Sequence, residues 1–176
     1  MREVVVYERL DQFLQAHHAS YQILESRGAV SAQEQAAVSH TPGRSFAKVV
    51  IVKERDGFVM AVLPASSVLD LDRLKGLIGH GPIRLATVEE IRDVVPDCAP
   101  GAIPPFGALY GHRSFVDRIL LASPDITMPA GDFGTVIRMS WTEFRRLVGA
   151  TVGDFAVPEI LAPRPPRRAT ATRRAG

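Results

Sequence analysis

One lysine stands where a charged side chain is uncommon. Lys48 lies near the start of an apolar run at 47–52, and the chain has only three lysines against eighteen arginines. An ammonium group in such a place can bind a carbonyl or phosphate oxygen at the floor of a pocket. The structural alternative is an edge-strand lysine whose head reaches water while its stem covers apolar neighbours. The sequence leaves both interpretations open.

A loop at 101–107 is the second candidate. Glycine lets the main chain approach a ligand closely, and proline holds a loop in shape before the ligand arrives. The main-chain N–H groups of such a loop could bind a substrate carbonyl. The alternative is a purely structural connection. The loop consists of Gly101, Ala102, Ile103, Pro104, Pro105, Phe106 and Gly107.

The remaining reactive side chains form no familiar catalytic group. The five histidines lack the spacing of metal ligands, so neither a metal site nor a cofactor is predicted. The single cysteine, Cys98, excludes an internal disulfide and a thiolate zinc cluster. His112, just after the loop, is either exposed to solvent or lines the site. Asp117, on a short apolar segment, is expected to accept structural hydrogen bonds.

The elements that position these groups follow from turn signals and apolar spacing. Two apolar strands at 47–52 and 58–63, joined by a polar link that contains Asp56 and Gly57, predict a β-hairpin. Three patterns of Ser or Thr followed three residues later by Glu predict helix starts. These capping patterns are Ser31 with Glu34, Thr87 with Glu90, and Ser140 with Glu143.

Weaker signals complete the fold prediction. Helical spacing predicts a helix at 6–19, and a cap at Asp70 or Asp72 predicts another that ends at Gly79. The segment 96–107 is predicted to be irregular, and long irregular loops inside compact domains are usually functional. Strands and helices mix without regular βαβ alternation, so we predict an α+β fold, a mixed β-sheet surrounded by helices. Short strands are predicted at 21–24, 84–86, 115–116, 119–121, 126–128 and 135–139.

Charge is unevenly distributed along the 176 residues. The formal net charge is +2, but the segment 163–176 carries five arginines and no acid, so 1–162 carries −3. We predict one folded domain over 1–162 and a basic, disordered tail over 163–176. No apolar run approaches the ~18 residues of a membrane helix, and the first residues do not resemble a signal peptide. A cytoplasmic protein without a membrane partner is expected.

The order of these features resembles that of a known family, the YbaK/prolyl-tRNA-synthetase-associated editing domains. The resemblance covers about 10–148, and the lysine followed by a Gly-x-x-Pro loop is more specific than either feature alone. The segments that carry it include Ala47-Lys48-Val49-Val50, Val62-Leu63-Pro64-Ala65, Leu85-Ala86-Thr87, the loop 101–107, Val116-Asp117, Ala130-Gly131 and Ile137-Arg138-Met139.

The resemblance implies a trans-editing aminoacyl-tRNA deacylase. Such an enzyme hydrolyses the ester that joins a wrong, small amino acid to tRNA, for example alanine or cysteine on the proline tRNA. Lys48 takes the place of the family's essential lysine, near the terminal adenosine and the ester. The implied partners are the tRNA acceptor end and an aminoacyl-tRNA synthetase, with no metal and no cofactor. The residues implied to line the aminoacyl pocket are Gly101, Ala102, Ile103, Pro104, Phe106 and Gly107.

Two further hypotheses remain at this point. The first is a non-catalytic binding module of the same fold, which recognises tRNA acceptor ends or a small aminoacyl ligand without hydrolysing it. The second is a nucleic-acid binder that acts through the arginine-rich segment 163–176, because clustered arginines bind phosphates without sequence preference.

Overall fold

The computed structural model describes residues 7–79 and 81–161. Within this part of the chain, five α-helices and ten β-strands alternate with short 3₁₀ turns. The helices are α1 (Glu8–Ala16), α2 (Ala32–Val38), α3 (Leu71–Ile78), α4 (Val88–Val94) and α5 (Trp141–Val148). The strands are β1 (Gln22–Glu25), β2 (Ala47–Glu54), β3 (Gly57–Pro64), β4 (Ser67–Leu69), β5 (Arg84–Leu85), β6 (Arg113–Asp117), β7 (Asp125–Pro129), β8 (Thr135–Ser140), β9 (Thr151–Gly153) and β10 (Ala156–Pro158).

The largest sheet is mixed and has the strand order β5-β2-β3-β6-β9. Strand β6 runs parallel to both β3 and β9, whereas the β2–β3 and β2–β5 pairs are antiparallel. A second, antiparallel sheet has the order β1-β8-β7, and a bridge between Phe46 and Thr127 joins it to the start of β2. Strands β4 and β10 form a separate pair. The predicted α+β fold with a mixed sheet is confirmed.

The predicted hairpin fixes the direction in which Lys48 points. Strands β2 and β3 pair from Ala47 opposite Pro64 to Glu54 opposite Gly57, so Lys48 lies opposite Leu63. Successive side chains of a strand point to opposite faces. Lys48 therefore shares a face with Leu63, which belongs to a second core cluster with Val52, Leu74 and Phe155, whereas its neighbour Ala47 belongs to the main core.

The main core lies on the other face of this hairpin and holds the loop. Ile103 and Phe106 are fully or almost fully buried there, and the ring of Phe106 lies between those of Phe13 and Phe144, at 5.4 and 5.6 Å. Burying these side chains removes apolar surface from water and anchors the loop to α1 and α5.

Two of the three capping predictions need refinement. Thr87 and Glu90 form the reciprocal capping box at the start of α4. Ser31 and Ser140 also cap their helices, accepting hydrogen bonds from Glu34 N and Glu143 N. The two glutamates bind other groups, however: Glu34 accepts from Val30 N, and Glu143 from Ser20 N and Arg146.

One strand prediction is wrong, and several short strands are missing from the sequence analysis. The segment 119–121 lies in the 3₁₀ helix Arg118–Ala122, because the carboxylate of Asp117 accepts a hydrogen bond from Ile119 N and turns the chain out of the sheet. Strands β4, β9 and β10 have three residues each, too few for an alternation pattern to be visible. The other predicted strands and the helix at α3, capped by Asp70, are present.

The predicted boundary at 162 stays a prediction, because Ala162 and the tail 163–176 lie outside the described residues, as do residues 1–6 and His80. In the described part of the chain, no helix combines the length and apolar character needed to cross a membrane.

Candidate functional site

Lys48 projects towards a small polar cluster at the end of the hairpin. Its Nζ donates a long hydrogen bond of 3.5 Å to the main-chain carbonyl of Ala65. Gln33 of α2 donates to the same carbonyl at 3.3 Å and also to the carboxylate of Glu159. Lys48 is partly buried, which is compatible with both interpretations, a head that reaches water beyond a covered stem and a head that faces a ligand site.

The electrostatic setting of this ammonium group is unbalanced. Burial lowers the pKa of Lys48 from its ordinary value of 10.5, and the negative charge of Glu159 opposes that shift without cancelling it. No carboxylate lies within 4.0 Å of its nitrogen in the part of the chain that the structure describes. The cation is thus incompletely compensated, which suits it to an anionic or strongly polar ligand.

The loop 101–107 is held by its two ends. Ala99 N donates to Gly131 O at 2.9 Å, and Gly131 N donates back to Ala102 O at 3.0 Å. At the far end, Gly107 N donates to Ser114 Oγ at 3.0 Å. The loop therefore packs against the turn that joins β7 to β8, and its shape is set by main-chain contacts as well as by proline.

A close contact explains why glycine stands at position 101. A Cβ atom built there would lie 2.8 Å from Cζ of Phe133, closer than real Cβ contacts. The ring of Phe133 thus covers the main chain of Gly101 directly. Gly131 is under a similar constraint, since it has φ +115° and a Cβ there would overlap the ring of Tyr7.

Two hydrogen-bond donors of the loop are unused. Among residues 7–79 and 81–161, the main-chain N–H groups of Gly101 and Ile103 have no hydrogen-bond partner. Pro100, Pro104 and Pro105 have no N–H to compete with them. A main-chain N–H group without a protein partner can donate to a ligand oxygen, which is a contact that an acyl-transfer site uses.

Helix α2 contacts the surroundings of both candidates, whereas Lys48 and the loop are not joined by any hydrogen bond. Gln33 shares the carbonyl of Ala65 with Lys48. Gln35, two residues further on, is fully buried and donates to Asp132 O at 3.1 Å, in the turn on which the loop packs. Helix α2 thus contacts the group that binds Lys48 through Gln33 and the turn that supports the loop through Gln35.

A polar cluster supports the start of the loop. Tyr110 Oη donates to Asp97 Oδ1 at 2.8 Å, and Arg9 Nε lies 3.4 Å from Asp97 Oδ2. The guanidinium of Arg9 also lies over the ring of Tyr110, 5.1 Å from its centroid. Burial is the main cause that raises the pKa of the adjacent Cys98 thiol to about 11. This cysteine is therefore protonated and a poor nucleophile at neutral pH.

Two other sequence candidates have structural contacts. His112 is partly buried, which lowers its pKa, and its ring stands edge-on to Phe58 at 6.2 Å. Asp117 is buried and accepts hydrogen bonds from the main chain of Ile119, Phe155 and Ala156, as the sequence analysis expected. Groups of three or more His, Cys, Asp or Glu that could hold a metal do not occur among the described residues.

Sequence reasoning missed several residues around the candidates. Gln33, Glu159, Phe133 and Tyr7 are far from Lys48 and the loop in sequence and belong to no motif. In the turn on which the loop packs, the sequence pointed only to the Ala130-Gly131 pair, as one of the segments that carry the family resemblance. Its glycine now has a physical explanation in the ring of Tyr7.

The site candidates thus lie in a mixed α+β domain, with an incompletely compensated lysine and a proline-rich loop that has two N–H groups without a protein partner. The family described as the aminoacyl-tRNA editing domain matches residues 26–147. This range includes both Lys48 and the loop 101–107, and the chain belongs to this family.

One curated relative and two solved structures illustrate the similarity. The proline–tRNA ligase of Thermosipho africanus (strain TCF52B) is 38% identical over 52 residues, which are 30% of this chain and 9% of the ligase. This chain therefore spans less than a tenth of the length of that curated relative.

The two structures have the same fold. The crystal structure of a candidate trans-editing enzyme for prolyl-tRNA synthetase has a TM-score of 0.76 and 24% identity, over 88% of this chain and 99% of the other. A hypothetical protein has the same TM-score and identity, over 85% of this chain and 100% of the other.

Proposed function

We propose that the protein is a trans-editing aminoacyl-tRNA deacylase, which hydrolyses the ester of a small amino acid wrongly attached to tRNA. The observation that carries the proposal is that the range matching the editing family contains Lys48 and a loop whose Gly101 and Ile103 N–H groups are unused. The function includes a tRNA acceptor end as partner, an aminoacyl-tRNA synthetase as the source of the substrate, and a cytoplasmic location.

Lys48 acts in this proposal as a fixed positive charge. An aminoacyl ester is already activated, so hydrolysis needs moderate stabilisation of the tetrahedral intermediate and no covalent enzyme intermediate. Water, or a hydroxyl or thiol of the substrate, attacks the carbonyl carbon, and negative charge develops on the carbonyl oxygen. An ammonium group in a partly desolvated place stabilises that charge more strongly than one in water. The ribose oxygen leaves and takes up a proton.

The loop holds the aminoacyl group. Its anchors at Gly131 and Ser114 keep the Gly101 and Ile103 N–H groups in place, so little ordering is required when the substrate binds. Ala102, Pro104, Phe106 and Gly107 are buried, and in the same proposal they fix the shape of the loop around the pocket. Because Phe133 already lies on Gly101, the space beside the loop is restricted, which favours small side chains by exclusion.

Helix α2 borders the surroundings of both groups in this proposal. Gln33 donates to the carbonyl of Ala65, which Lys48 also contacts, and Gln35 donates to Asp132 O in the turn on which the loop packs. The acceptor end is expected to bind next to this helix.

A deacylation screen tests the proposal. The full-length protein is incubated with a panel of charged tRNAs, including alanyl and cysteinyl proline tRNA, and the remaining ester is measured over time. We expect faster ester loss than in buffer for at least one small amino acid. Tight binding of charged tRNA with no ester loss for any member of the panel would instead identify a non-catalytic binding module.

A further inference from the structure

A second polar feature lies beside the start of β2, apart from Lys48 and the loop. It is a surface cleft of about 320 Å³ between the end of α2, the 3₁₀ turn Gly43–Ser45 and the β7–β8 strands. Its polar lining consists mainly of His40, Thr41, Arg44, Ser45, Asp125 and Arg138.

Arg138 is held in place by uncharged acceptors. Its Nε donates to Thr127 Oγ1 at 3.1 Å, and its Nη2 donates to Thr41 Oγ1 at 3.0 Å and to Ser39 O at 3.3 Å. These contacts use three of the five N–H groups of a guanidinium. Within 7–79 and 81–161, the two N–H groups on Nη1 have no protein partner.

The charge of Arg138 is also not neutralised locally. No carboxylate of the described residues lies within 4.0 Å of its nitrogens, although the exposed Asp125 lines the same cleft. Arg44, which also lines the cleft, is exposed and has no ion-pair partner in that part of the chain either. Two cations and one anion leave the cleft with a charge of about +1 when His40 is neutral.

The cleft is close to Lys48 along the chain and in space. The turn Gly43–Ser45 contributes Arg44 and Ser45 to the cleft. A Cβ at Gly43 would lie 3.0 Å from Cβ of Ser66. Ser66 follows Ala65, and the carbonyl of Ala65 accepts the hydrogen bond from Lys48. The same short turn thus separates the arginine cleft from the lysine.

We propose that this cleft binds a phosphodiester group of the tRNA backbone near the acceptor end, an inference that rests on the proposed deacylase function. The open Nη1 edge of Arg138 and the exposed head of Arg44 suit two oxygens of one phosphate. A phosphodiester has a single negative charge, which matches a cleft of about +1 better than a doubly charged free phosphate does. A body of −3 needs such a local contact to hold a polyanion.

Binding of uncharged proline tRNA to the full-length protein tests this inference, measured by fluorescence anisotropy at several KCl concentrations. Arg44→Gln should weaken binding about tenfold and reduce the slope of log affinity against log salt by about one. Asp125→Asn should tighten binding, because it removes a repulsive charge. The matched control is Arg55→Gln, which removes the same charge from the exposed turn between β2 and β3.

Arg138 needs a conservative variant, because its side chain also ties α2 to β7. Arg138→Lys keeps the charge but loses the planar fork, and we expect weaker tRNA binding in a protein that still unfolds cooperatively. Equal effects of Arg44→Gln and Arg55→Gln, or no effect of Arg44→Gln, would overturn the inference. Displacement of the tRNA by inorganic phosphate at concentrations below about 1 mM would also overturn the inference. A cleft that binds one phosphodiester of the tRNA backbone should bind the free ion only weakly.

Binding and hydrolysis are measured separately, so the two proposals fail separately. Loss of the Arg44 effect on uncharged tRNA removes the phosphate site and leaves the deacylase proposal in place. An Arg44-dependent affinity combined with no hydrolysis of any charged tRNA removes the deacylase proposal and leaves a tRNA-binding cleft.

Discussion

Lys48 and Gln33 donate to the same main-chain carbonyl, that of Ala65, at 3.5 and 3.3 Å. One carbonyl with two donors gives the lysine only a weak, long hydrogen bond, so most of its charge remains available. Glu159, which also accepts from Gln33, is the acid whose field reaches this ammonium. A ligand with a negative or strongly polar oxygen would complete the arrangement.

Changing this acid tests whether the charged lysine is required. Glu159 opposes the burial that lowers the pKa of Lys48, so Glu159→Gln should lower that pKa further. If the ammonium form is active, deacylation falls as the pH rises through this pKa, and the fall should begin at lower pH in the variant. The measurement is single-turnover rate against pH, corrected for uncatalysed hydrolysis. An identical falling limb in both proteins would contradict this account of Lys48.

Position 101 tests the loop. Gly101→Ala places a Cβ against the ring of Phe133, so either the ring or the loop must move. We expect at least a tenfold lower deacylation rate with about 1–2 kcal/mol lost from the free energy of unfolding. Gly76→Ala is the control, because nothing lies within 4 Å of a Cβ there and alanine favours the helix.

A second substitution separates a displaced loop from a general loss of stability. Phe133→Leu removes the ring atom nearest to Gly101, and in the double variant with Gly101→Ala the rate should recover in part. If the fold-loss in deacylation rate of the double variant equals the product of the fold-losses of the two single variants, the contact between Gly101 and Phe133 does not position the loop.

The thiol of Cys98 should be nearly unreactive in the native protein. With its pKa raised to about 11, chiefly by burial, thiolate is only about one part in a thousand at pH 8. Alkylation should therefore be slow at pH 8, rise with pH towards 11, and become fast after denaturation. If the native protein is alkylated at pH 8 as fast as the denatured protein, Cys98 is not buried beside Tyr110 and Asp97 as the structure shows it.

Asp117 should matter for stability rather than for catalysis. Its two oxygens accept three main-chain hydrogen bonds, at 2.9, 2.8 and 2.7 Å. Asp117→Asn would turn an amide NH₂ towards N–H donors, and we expect a loss of about 3 kcal/mol in the free energy of unfolding in urea. The exposed Asp93→Asn should change it by less than about 0.5 kcal/mol. Similar losses in both would contradict a structural role for the buried carboxylate.

Local signals predicted much of the fold. The capping residues Ser31, Thr87 and Ser140 start helices where the sequence placed them, because an N-cap acts on the next three residues only. The segment 119–121 was misread as a strand, since its apolar run conceals the turn imposed by Asp117. An apolar run alone does not distinguish a strand from a short helix.

The candidate site was predictable only in part. Lys48 and the loop 101–107 stood out by composition, but the sequence could not show what either of them contacts. Those contacts depend on the β2–β3 register and on the packing of Phe133 over Gly101, which join residues distant in the chain. Gln33 and Glu159 belong to no motif, and only the fold brings them to Lys48.

The most direct test of the account is the deacylation rate of Lys48→Ala on the best substrate from the screen, with thermal unfolding measured on the same sample. We predict a loss of at least a hundredfold in rate, typical of removing a charge that stabilises an oxyanion, while the melting temperature stays within a few degrees. A variant that unfolds cooperatively and hydrolyses the ester at the unaltered rate would contradict the role assigned to Lys48.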